Sequence, residues 1–152
     1  KINAAQGVLV SETGQGKFQN AVRVGKHHML VDEPVAVGGL DTGPGPYDYL
    51  AAALGACTAM TLRMYADFKK LGIGRISVEV KHGKIYATDC HECSQDLIDQ
   101  GGKIDRFERT ITLEGGLDEA MHAQLLEIAD KCPVHRTLET RAAVATIING
   151  AG

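Results

Sequence analysis

The sequence has few aromatic residues, no excess of positive charge and no long apolar run. Only 5% of its 152 residues are aromatic and none is Trp, so the core must consist of aliphatic side chains and alanine. Lys and Arg number 16 against 19 acidic residues, which leaves no basic field for a nucleic-acid backbone. The longest uncharged stretch, Tyr49–Leu62, is shorter than the about 20 residues that span a bilayer. Nucleic-acid and membrane partners are therefore not expected.

The length fits one domain over residues 1–152, with an N-terminal β-meander over 1–36 and a helix-containing α+β part over 46–152. The four cysteines occur without an apolar signal segment at the start of the sequence. This combination is typical of a cytoplasmic protein with reduced thiols rather than of a disulfide framework.

The hydrophobic pattern predicts an α+β fold with mostly antiparallel sheets. Alternating residues predict strands, and turn residues separate them into neighbouring hairpins. His27 and His28 are interpreted as strand residues. A loop rich in glycine and proline, 37–46, is the predicted joint between the N-terminal sheet and the rest. The predicted strands are Gly7–Thr13, Lys17–Val24, His28–Asp32, Ile76–Tyr86, Ile104–Leu113 and Ala142–Ile148.

A long helix is predicted from Pro46 to about Leu71, and it is the most apolar element of the chain. Its apolar residues recur at spacings of three and four, which is typical of a buried stripe. The other faces carry no charge between Asp48 and Arg63, so we expect a central helix enclosed by sheet. The predicted stripe consists of Leu50, Ala53, Cys57, Met60, Met64, Phe68 and Leu71.

Two shorter helices are predicted near the C-terminus. The first opens at Leu117, with Met121, Leu125, Ile128 and Ala129 facing inward. The second runs from Pro133 to about Glu139, since proline is well suited to the first turn of a helix.

Cys57 and Cys132 each have a structural and a functional interpretation. Cys57 lies within the apolar helix, where a free cysteine packs as a small hydrophobe unless a nearby positive charge favours its thiolate. Cys132 directly precedes Pro133, where the N–H groups of a new helix favour a thiolate. Cys132-Pro133 is alternatively a simple kink between two helices.

Cys90 and Cys93 form a C-x-x-C motif that contains His91. Zinc binding and thiol–disulfide exchange are the two functional interpretations. A tetrahedral zinc site needs four ligands, and no second pair of ligands stands at the required spacing. A polar link between two antiparallel strands is also not the place of a thioredoxin-type motif. We therefore interpret the motif as part of a surface loop.

Two motifs together resemble the family of osmotically inducible and organic hydroperoxide resistance proteins, the OsmC/Ohr family. The first is GPGPYDYLAAALGAC at Gly43–Cys57, and the second is KCPVH at Lys131–His135. The order of the predicted elements is similar along nearly the whole chain. The resemblance implies an OsmC-like fold in which antiparallel sheets wrap a central helix. It also implies an intertwined homodimer with active sites at the subunit interface.

The resemblance further implies a chemistry for the two cysteines. Cys57 is then the peroxidatic residue, which reduces an organic hydroperoxide and becomes a sulfenic acid. Cys132 is the resolving residue, which closes a disulfide with Cys57. An external dithiol regenerates the enzyme, and no metal or bound cofactor is needed. The implied function is a thiol peroxidase in the oxidative stress response.

The supporting residues depart from the family pattern. Peroxidase members carry a glutamate ten residues before the first cysteine, where this chain has Tyr47 followed by Asp48. Tyr47 can donate its hydroxyl but cannot act as an anion. The missing glutamate motivates an alternative function, an OsmC-like module that binds a small apolar or thiol-reactive ligand without catalysis.

The family arginine lies in the first hairpin, where this chain has Gly16 and Lys17. Arg23 is the nearest substitute and Arg136 is a second one. His135 and Arg136 both place positive charge within one turn of Cys132, so they complete the set of expected supporting residues.

Overall fold

A computed structural model of the chain describes residues 7–150, which form two compact units that divide at Ala52–Ala53. The division falls inside the first long helix and not in the loop 37–46, where the sequence predicts a joint. Every strand pair is antiparallel, so the predicted α+β class is confirmed. Residues 1–6 and 151–152, which the predicted domain limits include, lie outside the described residues.

The first unit begins with a three-stranded antiparallel meander, as predicted. Val22 in the central strand pairs with Val10 on one side and Met29 on the other, and its side chain is buried. Gly25 turns the chain between the second and third strands at φ 55°, a conformation that glycine adopts without strain. The strands are β1 Leu9–Glu12, β2 Asn20–Val24 and β3 His27–Val31.

The loop after β3 is organised by the buried carboxylate of Asp32. Its Oδ2 accepts hydrogen bonds from the Thr42 hydroxyl at 2.6 Å and from the Thr42 N–H at 3.2 Å. Its Oδ1 accepts from the Glu33 N–H at 2.8 Å. These bonds, with the Thr42 hydroxyl first, lower the pKa of Asp32 against the opposing effect of burial.

Helix α1 runs from Pro46 to Phe68, three residues short of its predicted end. Asp48 Oδ2 accepts a hydrogen bond from the Gly45 N–H at 2.8 Å, which ties the first turn to the preceding loop. Lys70, two residues beyond the helix, adopts a left-handed conformation with φ 55° and turns the chain away.

The second unit packs α1 and two C-terminal helices against a long hairpin. The hairpin consists of β4 Ile76–Tyr86 and β5 Lys103–Leu113, paired from Ile76↔Leu113 to Tyr86↔Lys103. Helix α3 Glu119–Ala129 and helix α4 Pro133–Glu139 follow it. The core contains Leu62 of α1 with Leu125 and Ala129 of α3, and Met121 and Ile128 pack against it. The predicted inward face of α3 is therefore confirmed.

The predicted burial of the apolar stripe on α1 is wrong for the single chain. Met60, Met64 and Phe68 are 67%, 74% and 79% exposed. Apolar periodicity identifies residues that avoid water but not the surface that covers them, and this helix is apolar on two faces. The second unit covers only one of these faces. The buried residues of α1 are Leu54, Gly55, Thr58, Leu62 and Ala66.

Two further elements differ from the sequence-based prediction. The polar link 87–102 contains a short helix α2 Gln95–Gln100, whose cap Ser94 accepts a hydrogen bond from the Leu97 N–H. The strand predicted at Ala142–Ile148 is absent, since residues 141–150 have no regular structure. Its alternating pattern is typical of a strand, but a strand forms only beside a hydrogen-bonding partner. None of the described strands pairs with it.

Within residues 7–150, every helix is either too short or too polar to reach across a lipid bilayer.

A hydrogen-bonded cysteine pair as the candidate active site

Cys57 and Cys132 reach the same place from two different helical elements. Cys57 lies in the middle of α1 and is partly exposed, whereas Cys132 is completely buried. Cys132 stands between α3 and α4, because Pro133 begins the new helix directly after it. Its N–H donates to the Ala129 carbonyl at 3.2 Å, and its carbonyl accepts from the Arg136 N–H at 3.1 Å. These backbone bonds fix the position of Cys132 at the junction.

The two thiols are free, and each is near enough to shift the pKa of the other. The family resemblance implies that Cys57 and Cys132 lie together, and the structure brings them together. The redox roles assigned to them remain a prediction.

The surroundings divide the pair into a proton donor and a proton acceptor. Burial raises the pKa of Cys57, and the hydrogen bond to Cys132 raises it further. Burial also acts to raise the pKa of Cys132, but the hydrogen bond from Cys57 and the N–H groups of His135 and Val134 outweigh it, so that this pKa is lowered. The Thr58 hydroxyl contributes in the same direction. Cys132 is therefore the sulfur that ionises first.

Position on the backbone explains this difference between the sulfurs. Cys57 lies inside a long helix, where neighbouring N–H groups are already bonded to carbonyls one turn earlier. Cys132 precedes the first turn of α4, where the N–H groups have no partner within the helix. The N–H groups of His135 and Val134 lower the pKa of Cys132.

Arg109 on β5 connects the elements that carry the two cysteines. Its Nη1 donates to Thr58 Oγ1 at 3.0 Å and to the Ala129 carbonyl at 3.1 Å. Its Nη2 donates to Asp130 Oδ1 at 3.0 Å. The side chain of Arg109 is only 13% exposed, so its charge acts in a partly desolvated environment. One guanidinium thus joins α1 to the end of α3 beside the cysteine pair.

His135 on α4 has a hydrogen-bond partner at each ring nitrogen. Arg109 Nη2 lies 2.6 Å from His135 Nδ1, and a guanidinium can only donate, so Nδ1 is the acceptor. His135 Nε2 lies 2.9 Å from Glu139 Oε1, where it donates its proton. The ring thus carries its proton on Nε2.

Of the predicted supporting residues, the structure brings His135 to the cysteine pair. Arg136 is exposed on α4, and the hydrogen bonds around the pair use only its backbone N–H. Arg23, Tyr47 and Asp48 belong to the first unit. There Arg23 lies on β2, Tyr47 lies in the first turn of α1, and Asp48 bonds to the loop before that turn.

The sequence-based prediction missed Arg109 and Thr58. The sequence did contain a signal for Arg109. It lies on the same half-buried face of β5 as Phe107 and Ile111, two positions away from each. A charged residue at such an inward position needs partners, and here it has four. Thr58 carried no such signal, because a helical threonine that bonds to the carbonyl one turn earlier is common.

Cys90 and Cys93 form a disulfide, contrary to the expectation that all four thiols are reduced. Sequence reasoning placed the motif on a surface loop and did not anticipate that the two sulfurs bond to each other. In this oxidised state the sulfurs are not available as zinc ligands. Throughout the described residues, no group of three or more His, Cys, Asp or Glu side chains is arranged to hold a metal ion.

The sequence profile of the OsmC-like protein family matches residues 39–147. The chain therefore belongs to the OsmC-like protein family. The family assignment made from the two cysteine motifs is confirmed. No curated protein sequence matches the chain.

Solved structures show the same fold at low sequence identity. An OsmC-like protein from Mycoplasma pneumoniae is 16% identical with a TM-score of 0.67, over 91% of this chain and 89% of that one. An organic hydroperoxide resistance protein from Elizabethkingia anophelis is 21% identical with a TM-score of 0.63, over 90% and 89%. The organic hydroperoxide resistance protein OhrB of Bacillus subtilis is 19% identical with a TM-score of 0.55, over 89% and 90%.

Proposed function

We propose that this protein is a cysteine-based thiol peroxidase that reduces organic hydroperoxides in oxidative stress defence. The observation that carries the proposal is the meeting of two free thiols, Cys57 partly exposed and Cys132 completely buried, each of which shifts the pKa of the other. Membership of the OsmC-like family and a fold shared with organic hydroperoxide resistance proteins support the same activity.

Cys57 is the sulfur that attacks the peroxide, because it is partly exposed and Cys132 is completely buried. Cys132 accepts the proton of Cys57 through the bond between them, so Cys57 becomes a thiolate as it reacts. The thiolate attacks the terminal oxygen of the hydroperoxide and breaks the O–O bond. Cys57 becomes a sulfenic acid, and the departing alkoxide takes up the proton to leave as an alcohol.

Cys132 then resolves the sulfenic acid. Its thiolate attacks the sulfur of Cys57, an S–S bond forms, and the sulfenic oxygen leaves as hydroxide, which takes up a proton from solvent to become water. The existing contact between the two side chains shortens the life of the sulfenic acid and protects Cys57 from further oxidation. An external dithiol returns two electrons to the disulfide. The cycle uses no metal or bound cofactor.

Arg109 is the positioning residue of this site. It acts on the cysteines through Thr58, whose hydroxyl also lowers the pKa of Cys132. The guanidinium takes the place that the sequence assigned to Arg23 or Arg136. Asp130 and His135 orient this guanidinium. These two residues of the second unit thus do what a glutamate at the position of Tyr47 does in peroxidase members of the family.

We also propose a cytoplasmic homodimer. Met60, Met64 and Phe68 repeat every four residues and form an exposed apolar stripe along α1. An apolar surface of this kind is costly in water and is typical of an interface. A second copy of the chain, presenting the same stripe, covers it. A reducing compartment keeps Cys57 and Cys132 as thiols between turnovers.

The experiment that tests the peroxidase is the consumption of cumene hydroperoxide in the presence of dithiothreitol. Cys57→Ser abolishes turnover, because serine cannot form a sulfenic acid. Cys132→Ser reacts once and stops at the sulfenic acid, which a dimedone adduct identifies by mass spectrometry. Both variants replace one cysteine of the pair by serine, so a difference between them reflects the role of each sulfur and not the substitution itself. Turnover that persists unchanged in Cys57→Ser excludes the proposed function.

A further inference from the structure

The Cys90–Cys93 disulfide lies in a structured loop that faces a cavity. Cys90 follows a short 3-10 helix at Ala87–Asp89 and is 5% exposed, whereas Cys93 is partly exposed. The loop closes at its base through the Ala87 N–H, which donates to the Gly102 carbonyl at 2.9 Å. Both cysteines line a cavity of about 750 Å³.

Three other residues that line this cavity belong to the hydrogen-bond network around Thr58, the residue next to Cys57 on α1. Arg109 donates to Thr58 Oγ1, and His135 accepts from Arg109. Leu54, one turn before Cys57 on α1, accepts the hydroxyl proton of Thr58 through its carbonyl at 2.7 Å. The cavity is therefore bounded by the Cys90–Cys93 disulfide and by residues of the network that lies beside Cys57 and Cys132.

We propose that Cys90 and Cys93 are a second redox couple, which passes electrons from an external dithiol to the Cys57–Cys132 disulfide across this cavity. The proposal rests on the peroxidase function, which generates the Cys57–Cys132 disulfide in each turnover. It gives the C-x-x-C motif a role in regeneration, where the sequence alone favoured an inert surface loop.

The transfer consists of two thiol–disulfide exchanges. The external dithiol first reduces Cys90–Cys93 to two thiols and leaves as its own cyclic disulfide. The Cys93 thiolate then attacks Cys57, an S–S bond forms between them, and Cys132 leaves as a thiolate. Cys90 next attacks Cys93, restores the Cys90–Cys93 bond and releases Cys57. Two electrons and two protons have moved from the loop pair to the site pair.

The surroundings of the four sulfurs decide the direction of attack. Cys93 is more exposed than Cys90, and Cys57 is more exposed than Cys132, so Cys93 and Cys57 are the more accessible sulfurs of the two pairs. Attack on Cys57 expels Cys132, whose thiolate is stabilised by the N–H groups of Val134 and His135. A sulfur with a lowered pKa is the better leaving group in such an exchange.

Cys93 already lines the cavity and Cys57 does not, so the loop must carry Cys93 across the cavity to Cys57 for this exchange. In the oxidised loop, Cys90 and Cys93 bind each other, and Glu92 accepts a hydrogen bond from Arg106 Nε at 2.5 Å. Reduction removes the first of these two restraints. The second joins two side chains that are 58% and 36% exposed, and such ion pairs are weak.

A trapping experiment tests the transfer directly. Cys90→Ser retains the attacking thiol of Cys93 but cannot release Cys57, so a Cys57–Cys93 mixed disulfide accumulates. The reduced variant is oxidised either with cumene hydroperoxide or with diamide, and its disulfides are mapped by mass spectrometry without reduction. Cys90→Ser/Cys93→Ser is the control and yields only Cys57–Cys132.

The rate of regeneration gives a second measurement. Reduction of Cys57–Cys132 by dithiothreitol is about tenfold slower in Cys90→Ser/Cys93→Ser than in the wild type, since the relay is lost. His91→Ser alters the same loop without removing a sulfur and is regenerated at the wild-type rate. In the wild type itself, a single equivalent of hydroperoxide added to reduced protein ends in the Cys90–Cys93 disulfide.

The outcomes separate the relay from the peroxidase. Protein that does not react with hydroperoxide, but forms the Cys57–Cys93 species after diamide, upholds the relay and refutes the peroxidase. Absence of that species with both oxidants, together with wild-type regeneration of the double variant, overturns the relay and leaves the peroxidase intact.

Discussion

The guanidinium of Arg109 donates to the hydroxyl of Thr58 at 3.0 Å, beside the paired thiols of Cys57 and Cys132. The same guanidinium bonds to the Ala129 carbonyl, Asp130 and His135. A single side chain of β5 thereby holds α1, the end of α3 and the start of α4 in register. We therefore expect the geometry of the cysteine pair to depend on Arg109.

Replacing Arg109 should disturb both the fold and the thiols. Arg109→Met removes four hydrogen bonds, and we expect a loss of roughly 2 kcal/mol in the free energy of unfolding, since bonds to charged groups contribute about 1.5–3 kcal/mol each and water compensates some of them. We also expect the pKa of Cys132 to rise, because Thr58 is no longer oriented. Urea unfolding and thiolate absorbance measure the two effects.

Arg109→Lys and Arg75→Lys serve as controls for this prediction. Lysine keeps the charge but cannot reproduce the planar fork, so Arg109→Lys should recover stability only in part and leave kcat reduced more than KM is changed. Arg75 is exposed before β4, and its replacement should leave the thiols as they are. An Arg109→Met protein with an unshifted thiol titration and normal kcat would show a purely structural role.

The order in which the two thiols ionise gives a second prediction. A free cysteine has a pKa of about 8.5, and the pKa of Cys132 is lowered while that of Cys57 is raised. The wild type should therefore show one thiolate below and one above the ordinary value. Cys132→Ser should retain only the high titration, because burial of Cys57 persists.

Ultraviolet absorbance of the thiolate measures these titrations, and Cys90 and Cys93 do not contribute while they are bonded to each other. Cys57→Ser retains the lowered titration in part, since a serine hydroxyl can still donate to Cys132 and the N–H groups of α4 remain. A Cys57→Ser protein whose remaining thiol ionises only above the ordinary pKa contradicts the assignment.

The sequence predicted much of the fold for identifiable reasons. The β4–β5 hairpin, α1 and α4 were predicted nearly to the residue, because strict alternation, a long apolar helix and Pro133 are strong local signals. The prediction of a strand at Ala142–Ile148 was wrong. An alternating segment forms a strand only beside a second strand, and the segment's own residues do not show whether one is present. The predicted burial of the outward face of α1 was wrong for a similar reason, because periodicity does not reveal which surface covers an apolar face.

Of the candidate site, the sequence predicted the two cysteines and the histidine beside one of them, but not the arginine. Cys57 and Cys132 stand in recognisable motifs, and His135 lies beside one of them. Arg109 is far from both motifs in sequence, and only the pairing of β5 with β4 and the packing of α1 bring it to Thr58. Arg23 was expected because the family arginine lies in the first hairpin, and Arg136 because it lies beside Cys132.

The exposed stripe on α1 gives a third prediction. Met64→Glu places a charge in the centre of the stripe, where burial in an interface would be costly. We expect the wild type to sediment as a dimer and the variant as a monomer. Ala123→Glu adds the same charge at an exposed position of α3 and should leave the dimer in place. A wild type that sediments as a monomer at micromolar concentration contradicts the proposed assembly.

The buried carboxylate of Asp32 gives a prediction for acid stability. Its pKa in the folded protein lies below the ordinary 3.8, chiefly because the Thr42 hydroxyl donates to it. Since the folded pKa is the lower one, Asp32 stabilises the fold fully above pH 3.8, and this contribution is lost as the pH falls from 3.8 through the folded pKa. Asp32→Asn should be less stable than the wild type at neutral pH and should lose less stability in acid.

Asp41→Asn is a matched control for Asp32→Asn. Asp41 lies in the same loop, is exposed and has φ 53°, a conformation that asparagine also tolerates. Thermal unfolding of the three proteins between neutral pH and pH 3 separates the effect of the buried carboxylate from that of any loop carboxylate, because the other acidic groups are common to all. Parallel losses in the wild type and Asp32→Asn would show that the Asp32–Thr42 bonds do not stabilise the charged form, and the loop would then be held by its backbone bonds alone.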